Sequence, residues 1–140
     1  MRPIALLAAL IVALSLTAPA ASAAAGDWTW PVRGDVVTPY RNGDDPYAAG
    51  QHRGIDIAAP VGTAVVAAKS GRVTFAGVAG VSGLTVSMRT ADGRYDLSYL
   101  HLSAAAVHEG DAVERGERVG AVGTSGRRSA TEPHLHFGVR

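Results

Sequence analysis

Five histidines and a closely spaced aspartate supply the residue types that could bind a metal ion in this 140-residue chain. His52 and Asp56 are four positions apart with Gly54 between them, and His134 and His136 are two positions apart. Residues at even spacing on a β-strand share one face, so each pair can present both side chains to the same side. Imidazole and carboxylate groups suit Zn²⁺, and three protein ligands with an open fourth place form the catalytic arrangement of that ion.

The spacing of the first pair requires a bend in the chain. A straight strand advances about 3.3 Å per residue, so His52 and Asp56 would lie about 13 Å apart on it. Gly54 carries no side chain and allows the backbone to bend between them. In the second pair, Leu135 and Phe137 are expected to face the core, opposite to the two histidines. Either pattern alone is also compatible with exposed or core-edge side chains that bind nothing.

The elements that must position these residues are predicted to be short β-strands. All 17 glycines follow residue 25, which indicates many turns. Asp92-Gly93 lies between two runs rich in strand-forming residues and predicts a hairpin. Strands are predicted over residues 35–40, 52–58, 63–68, 72–76, 84–90, 94–102, 119–122 and 135–139. The predicted fold class is therefore all-β and antiparallel, either a β-sandwich or an open barrel with short strands.

The amino terminus has the three regions of a secretory signal peptide. Arg2 precedes a run of thirteen residues, 4–16, that contains one Ser and no charge, and small residues follow it. The run is shorter than the roughly 20 residues that a membrane-spanning helix needs. We therefore predict a signal peptide over 1–25 and one exported domain over 26–140, with no membrane span after cleavage.

Charge and cysteine content exclude several classes of partner and stabilising group. The leader removes one of the 13 Lys and Arg residues, which leaves the remainder formally neutral against 12 Asp and Glu. A neutral chain offers no electrostatic basis for binding nucleic acid. The chain contains no Cys, so it has neither disulfides nor a lipoprotein anchor site. A bound metal is one of the few remaining means of stabilising such a small exported domain.

Several motifs resemble the catalytic domain of the lysostaphin/LytM-type zinc endopeptidases, which cut peptide cross-links in bacterial peptidoglycan. The order and spacing of these motifs agree over about residues 34–140. The matching segments are His52-Arg-Gly-Ile-Asp56, Ala68-Lys-Ser-Gly71-Arg-Val73, Tyr99-Leu-His101-Leu-Ser103, the segment 109–120 and Pro133-His-Leu-His136-Phe. The stretch 126–132 departs from the Ser-Thr-Gly-rich turn usual in the family, which leaves the shape and charge of one side of the groove open.

The resemblance implies a role for each matching residue. His52, Asp56 and His136 are similar to the three zinc ligands of the family, and one Zn²⁺ per chain is expected. His101 and His134 are similar to its two unligated catalytic histidines. The implied activity is hydrolysis of peptidoglycan peptide stems and cross-bridges by a metal-activated water, at a secreted or cell-wall-associated location. We expect the chain to act as a monomer. Neither the bond cut nor the histidine that serves as general base follows from the motifs.

Two other functions are compatible with parts of the sequence. Some relatives of the lysostaphin/LytM type lack metal ligands and activate other cell-wall hydrolases, although all five site positions are occupied here. The segment 107–120 also resembles biotinyl/lipoyl carrier domains, and Lys69, the single Lys of the chain, lies between two predicted strands. Against that interpretation, the predicted leader directs the protein away from the modifying enzymes, and Lys69 lacks the Met-Lys-Met-like context of such carriers.

Overall fold

The computed structural model describes residues 28–45 and 49–140, and these residues form an all-β fold. The predicted signal peptide over 1–25 lies outside the described residues. Within them there is no α-helix, and thus none long and apolar enough to cross a membrane. The nine strands are β1 (Val36–Thr38), β2 (Ile55–Ala58), β3 (Ala64–Val66), β4 (Gly71–Val78), β5 (Leu84–Thr90), β6 (Asp96–Ala105), β7 (Ala112–Val113), β8 (Arg118–Val122) and β9 (His134–Val139).

The strands form one antiparallel sheet that does not close into a barrel, which confirms the predicted all-β, antiparallel class. Along the main path, neighbouring strands are hydrogen-bonded in the order β1-β2-β9-β6-β5-β4-β7. Outside this path, β8 pairs with both β6 and β3. A single 3₁₀ turn, Gly80–Ser82, connects β4 to β5. The predicted hairpin at Asp92-Gly93 is present, with β5 paired to β6 and Gly93 at a φ of 69°. Glycine is favoured there because it adopts positive φ without a Cβ clash.

The register between β2 and β9 places two of the predicted site residues opposite each other. Asp56 pairs with His136, and Ile57 pairs with Leu135. Leu135 and Ile57 are fully buried members of the hydrophobic core. Because successive side chains on a strand alternate between faces, Asp56 and His136 lie on the opposite face from these two core residues. The core thus fixes the positions of both site residues.

Strand β6 changes its neighbour beside a third predicted site residue, His101. Its first half pairs with β9 up to Leu100, and its second half pairs with β8 from Leu102 onward. His101 lies between the two halves at a φ of 64°, the single non-glycine residue with positive φ in the described chain. Such a conformation costs of order 1 kcal/mol or more in an L-residue and persists only where its surroundings enforce it. The register of β6 shifts around this residue, which marks a β-bulge. The side chain of His101 therefore does not follow the regular alternation of side chains between the two faces of the strand.

Lys69 does not occupy the exposed position that the carrier interpretation requires. It is 8% exposed, and its Nζ lies 2.9 Å from Asp92 Oδ2. The same ammonium group lies 5.3 Å from the centre of the Trp28 ring, which in turn packs edge-on against Tyr95. Lys69 thus joins the segment before β4 to the β5–β6 turn through an ion pair and a cation–π contact.

Candidate metal centre

Three ligand atoms from the predicted site converge on one point. His52 Nε2 lies 3.0 Å from Asp56 Oδ1 and 3.0 Å from His136 Nδ1, and the latter two atoms are 2.9 Å apart. His52 and Asp56 are buried, whereas His136 is partly exposed. Among the described residues these three side chains form a group that could hold a metal ion.

The bend expected at Gly54 brings His52 close to Asp56. His52 lies before β2 and forms an isolated bridge with Arg41, and the chain bends at Gly54 before β2 begins at Ile55. The backbone of Gly54 also passes directly against the ring of His136. A Cβ built on Gly54 would lie 2.6 Å from His136 Nε2, well inside contact distance. Gly54 therefore serves two purposes, the bend and the close approach of the third ligand.

We expect Gly54→Ala to destroy the metal centre. The added methyl would also lie 2.5 Å from the carbonyl oxygen of Phe137, so both a backbone atom and a ligand ring would have to move. Overpacking of this kind typically costs about 1–3 kcal/mol, and displacement of His136 should remove metal binding as well. The measurements are thermal unfolding and the zinc content of the purified protein. Gly43→Ala is the matched control, because its Cβ would meet only Gln51 Nε2 at 3.6 Å. Normal zinc content in Gly54→Ala, or equal zinc loss in both variants, would contradict the argument.

The protonation pattern of His52 indicates that a cation belongs between the three ligand atoms. His52 Nδ1 lies 2.9 Å from the carbonyl oxygen of Pro39, which can only accept a hydrogen bond. In the neutral ring the proton is therefore on Nδ1, and the lone pair of Nε2 points at the Asp56 carboxylate. A lone pair facing a carboxylate oxygen at 3.0 Å is repulsive unless a cation or a proton lies between them. Tetrahedral Zn²⁺ with bonds of about 2.0–2.1 Å separates its ligand atoms by about 3.3 Å, close to the spacing found here.

Asp56 is held in its ionised form by several donors. Burial by itself would raise the pKa of this carboxyl group, but hydrogen bonds from His136, Ser129 and Thr38 outweigh it and lower the pKa well below its usual range. The hydroxyl of Ser129 donates to Oδ2, which leaves Oδ1 directed at the two histidines. A carboxylate that stays charged is a suitable metal ligand at neutral pH.

Ser129 is a site residue that the sequence analysis did not identify. It lies in the stretch 126–132, where the resemblance to known motifs breaks down, and it is separated from Asp56 by 73 positions. A serine in an exposed, irregular segment carries no signal of its contact partner. The departure of this segment from the family pattern was the one sequence feature that indicated a contribution of its own to the site.

His134 presents a buried nitrogen atom next to the candidate metal centre. Its Nδ1 lies 2.8 Å from the carbonyl oxygen of Glu132 and donates to it, which leaves Nε2 without a proton in the neutral ring. Nε2 is fully buried, has no hydrogen-bond partner among the described residues, and lies 3.7 Å from Asp56 Oδ2. A buried polar atom without a partner is costly and often marks a functional position.

His101 lies next to His134, beside the candidate metal centre. The two rings are 5.4 Å apart, and the His101 ring is 6.1 Å from that of His136. His101 Nδ1 donates to the carbonyl oxygen of Ser125 at 2.9 Å, so its Nε2 is also unprotonated in the neutral ring. Burial lowers the pKa of His101, although the hydrogen bond to Ser125 opposes this shift. His101 is therefore neutral near pH 7 and can accept a proton.

The fifth histidine, His108, lies outside this group of residues. The side chain of His108 is 93% exposed, and its Nδ1 lies 3.7 Å from Asp111 Oδ2. The cleft over the candidate metal centre is bordered by residues from the segments 77–83 and 124–132. Its lining residues are His52, Val81, Ser82, Leu100, His101, Arg127, Ser129 and His136.

Comparison with known sequences identifies the protein family of this chain. The family model described as "Peptidase family M23" matches residues 50–140. DD-carboxypeptidase/endopeptidase Mpg of Neisseria meningitidis is 48% identical over 89 residues, covering 64% of this chain and 20% of Mpg. Murein hydrolase activator NlpD of Escherichia coli is 32% identical over 115 residues, covering 81% of this chain and 28% of NlpD. The chain spans less than half the length of the curated relatives it matches.

Solved structures with the same fold include two peptidases. A zinc-containing peptidase from Vibrio cholerae superposes with a TM-score of 0.67 at 28% identity, over 79% of this chain and 35% of that chain. The catalytic domain of the antimicrobial peptidase lysostaphin from Staphylococcus simulans superposes with a TM-score of 0.61 at 35% identity. This second match covers 74% of this chain and 75% of the lysostaphin domain.

Proposed function

Because the chain belongs to peptidase family M23, we propose that it is a zinc-dependent endopeptidase that hydrolyses peptide cross-links of bacterial peptidoglycan. The observation that supports this most strongly is the convergence of His52 Nε2, Asp56 Oδ1 and His136 Nδ1 within 3.0 Å of one another. The two further histidines beside them, His101 and His134, supply groups for proton transfer. The export signal predicted for residues 1–25 agrees with a substrate outside the cytoplasm.

In this proposal His52, Asp56 and His136 would hold one Zn²⁺ beside the cleft. When bound, the ion polarises a carbonyl group and lowers the pKa of water towards neutrality. The chain contributes the orientation of the three ligands. Pro39 fixes the tautomer of His52, and Ser129 directs the second oxygen of Asp56 away from the ion. Partners of this kind orient ligands and raise metal affinity.

His101 and His134 perform the proton transfers. Both residues present an unprotonated Nε2 because their Nδ1 atoms donate to carbonyl oxygens. We assign the general base to His101, since its lowered pKa keeps it neutral and able to take the proton of the attacking water. His134 can donate only in its protonated form, whose charge the Asp56 carboxylate at 3.7 Å balances. That form stabilises the developing oxyanion or protonates the leaving amine.

We expect Ser129→Ala to weaken zinc binding without unfolding the protein. Loss of the hydroxyl leaves Asp56 Oδ2 with one donor fewer, so the carboxylate is less well oriented and its pKa rises towards the ordinary value. Removal of such a supporting hydrogen bond costs about 10- to 100-fold in metal affinity in comparable sites. Competition with a zinc chelator of known affinity measures the change.

The control for this prediction is Ser82→Ala. Ser82 lines the same cleft, but its hydroxyl makes no hydrogen bond to the Asp56 carboxylate. Zinc affinity of Ser82→Ala should equal that of the unaltered protein. Equal affinities in all three proteins would show that the contact between Ser129 and Asp56 does not support the metal centre.

The similarity to NlpD raises a second candidate function, activation of other cell-wall hydrolases without catalysis. Zymography on purified peptidoglycan separates the two. The proposed enzyme should produce a clearing band that EDTA removes and added Zn²⁺ restores. A folded, zinc-loaded protein that clears no peptidoglycan alone but stimulates clearing by a separate hydrolase would overturn the proposal in favour of the activator.

A further inference from the structure

Arg127 brings a permanent positive charge to the edge of the cleft. It lines the same cavity as His52, His101 and His136. Its backbone is held in place, because Arg127 N–H donates to Val81 O and the preceding Gly126 adopts a φ of 73°. The segment 126–127 therefore has a defined position next to the metal centre, and its location does not depend on a side-chain contact.

The guanidinium group of Arg127 has no hydrogen-bond or ion-pair partner within 28–45 and 49–140. The neighbouring Arg128 differs, because its guanidinium donates to the carbonyl oxygen of Thr131 at 2.7 Å. Arg89 likewise pairs with Asp96 at 2.7 Å. An unpaired arginine on an open surface is usually just solvated, but this one lies at the opening of a cavity whose lining contains no carboxylate.

The charges around the cleft favour a negatively charged ligand. In the proposed metal centre, one carboxylate and two imidazoles would hold a divalent ion, and the single carboxylate would offset only part of its charge next to Arg127. Guanidinium groups pair with carboxylates through two parallel hydrogen bonds, a geometry that also fixes orientation. Val81 and Leu100 line the same cleft and present apolar groups that suit a small aliphatic side chain.

We propose that Arg127 binds a free carboxylate of the substrate, carried on a residue adjacent to the scissile bond. The inference rests on the proposed function and narrows its substrate class: anionic peptide stems are preferred over uncharged bridges such as oligoglycine. Arg127 acts as a specificity-determining residue and takes no part in the proton transfers.

The test uses two synthetic peptides that are identical except that this carboxylate is replaced by a carboxamide in one of them. For the zinc-loaded full-length protein, both kcat/KM and the Kd from calorimetry are measured for each peptide. We expect the carboxylate peptide to be preferred by about 10- to 100-fold in both quantities, as a charge-assisted hydrogen-bond pair would give. Arg127→Gln should remove this preference, whereas Arg127→Lys should keep part of it.

Arg128→Gln is the matched control, since it removes the same charge from the next residue of the same segment and should leave the preference intact. A preference that survives in Arg127→Gln, or that is missing from the unaltered protein, would overturn the inference. If neither peptide is cleaved but the binding preference depends on Arg127, the proposed hydrolase fails and the assignment of Arg127 stands.

Discussion

Replacing His136 by Ala is expected to abolish zinc retention and hydrolysis together. The substitution removes one of three ligand atoms that lie within 3.0 Å of one another and leaves only His52 and Asp56 on the ion. A catalytic metal contributes several kcal/mol of transition-state stabilisation, so kcat/KM should fall at least about 10³-fold. Zinc content after desalting and release of labelled fragments from peptidoglycan measure the two effects.

His108→Ala is the matched control for this prediction. The His108 side chain is 93% exposed, and its Nδ1 lies 3.7 Å from Asp111 Oδ2, beyond hydrogen-bond distance. This variant should keep one zinc per chain and full activity. Thermal unfolding of the apo forms establishes that both variants are folded. A His136→Ala protein that keeps one tightly bound zinc per chain and normal turnover would refute the proposed ligand set.

Replacing His101 by Ala is expected to have the opposite combination of effects, with zinc retained and turnover lost. His101 contributes no atom to the cluster of three ligands. It lines the cleft, and its Nε2 is unprotonated in the neutral ring and can accept a proton. General base catalysis contributes typically 10²–10⁴-fold, so kcat should fall by about that factor while zinc content stays at one per chain. Zinc loss as complete as in His136→Ala would contradict this division of roles.

The pH dependence of the unaltered enzyme gives a further readout for His101. A general base works in its unprotonated form, so kcat/KM falls as the pH drops through its pKa. Burial lowers the pKa of His101 below the ordinary value for histidine. The acid side of the profile should therefore lie below about pH 6.5 and should be missing from the residual activity of His101→Ala. An unchanged acid side in this variant would assign it to another group.

Local sequence patterns predicted most of the strands, because the formation of a strand depends largely on residues that are close together in the sequence. Strand β5 was predicted with the observed bounds, Leu84–Thr90, and Asp92-Gly93 marked its hairpin. Strand ends were less accurate: β6 extends to Ala105, beyond the predicted end at 102, and His52 lies outside β2. The longer β6 results from its pairing with β8, a contact with residues far along the chain.

The candidate site was predictable in its residue types and less so in its supporting contacts. The sequence, through its motifs, identified His52, Asp56 and His136 as possible ligands, and the three side chains do lie together. The role of Ser129 could not be predicted, because its contact with Asp56 spans 73 positions and follows no local pattern. The left-handed conformation of His101 also has no local signal, since glycine is the residue usually found at positive φ.

What the amino-acid sequence determined by itself is the side of each strand on which a residue lies. Alternation places His134 and His136 on one face and Leu135 and Phe137 on the other, because successive side chains of a strand point in opposite directions. Only the tertiary structure decided that β2 pairs with β9, so that Asp56 meets a histidine 80 positions away. The physical reason is that strand pairing and register depend on burying one common core, a property of the whole chain that no local segment contains.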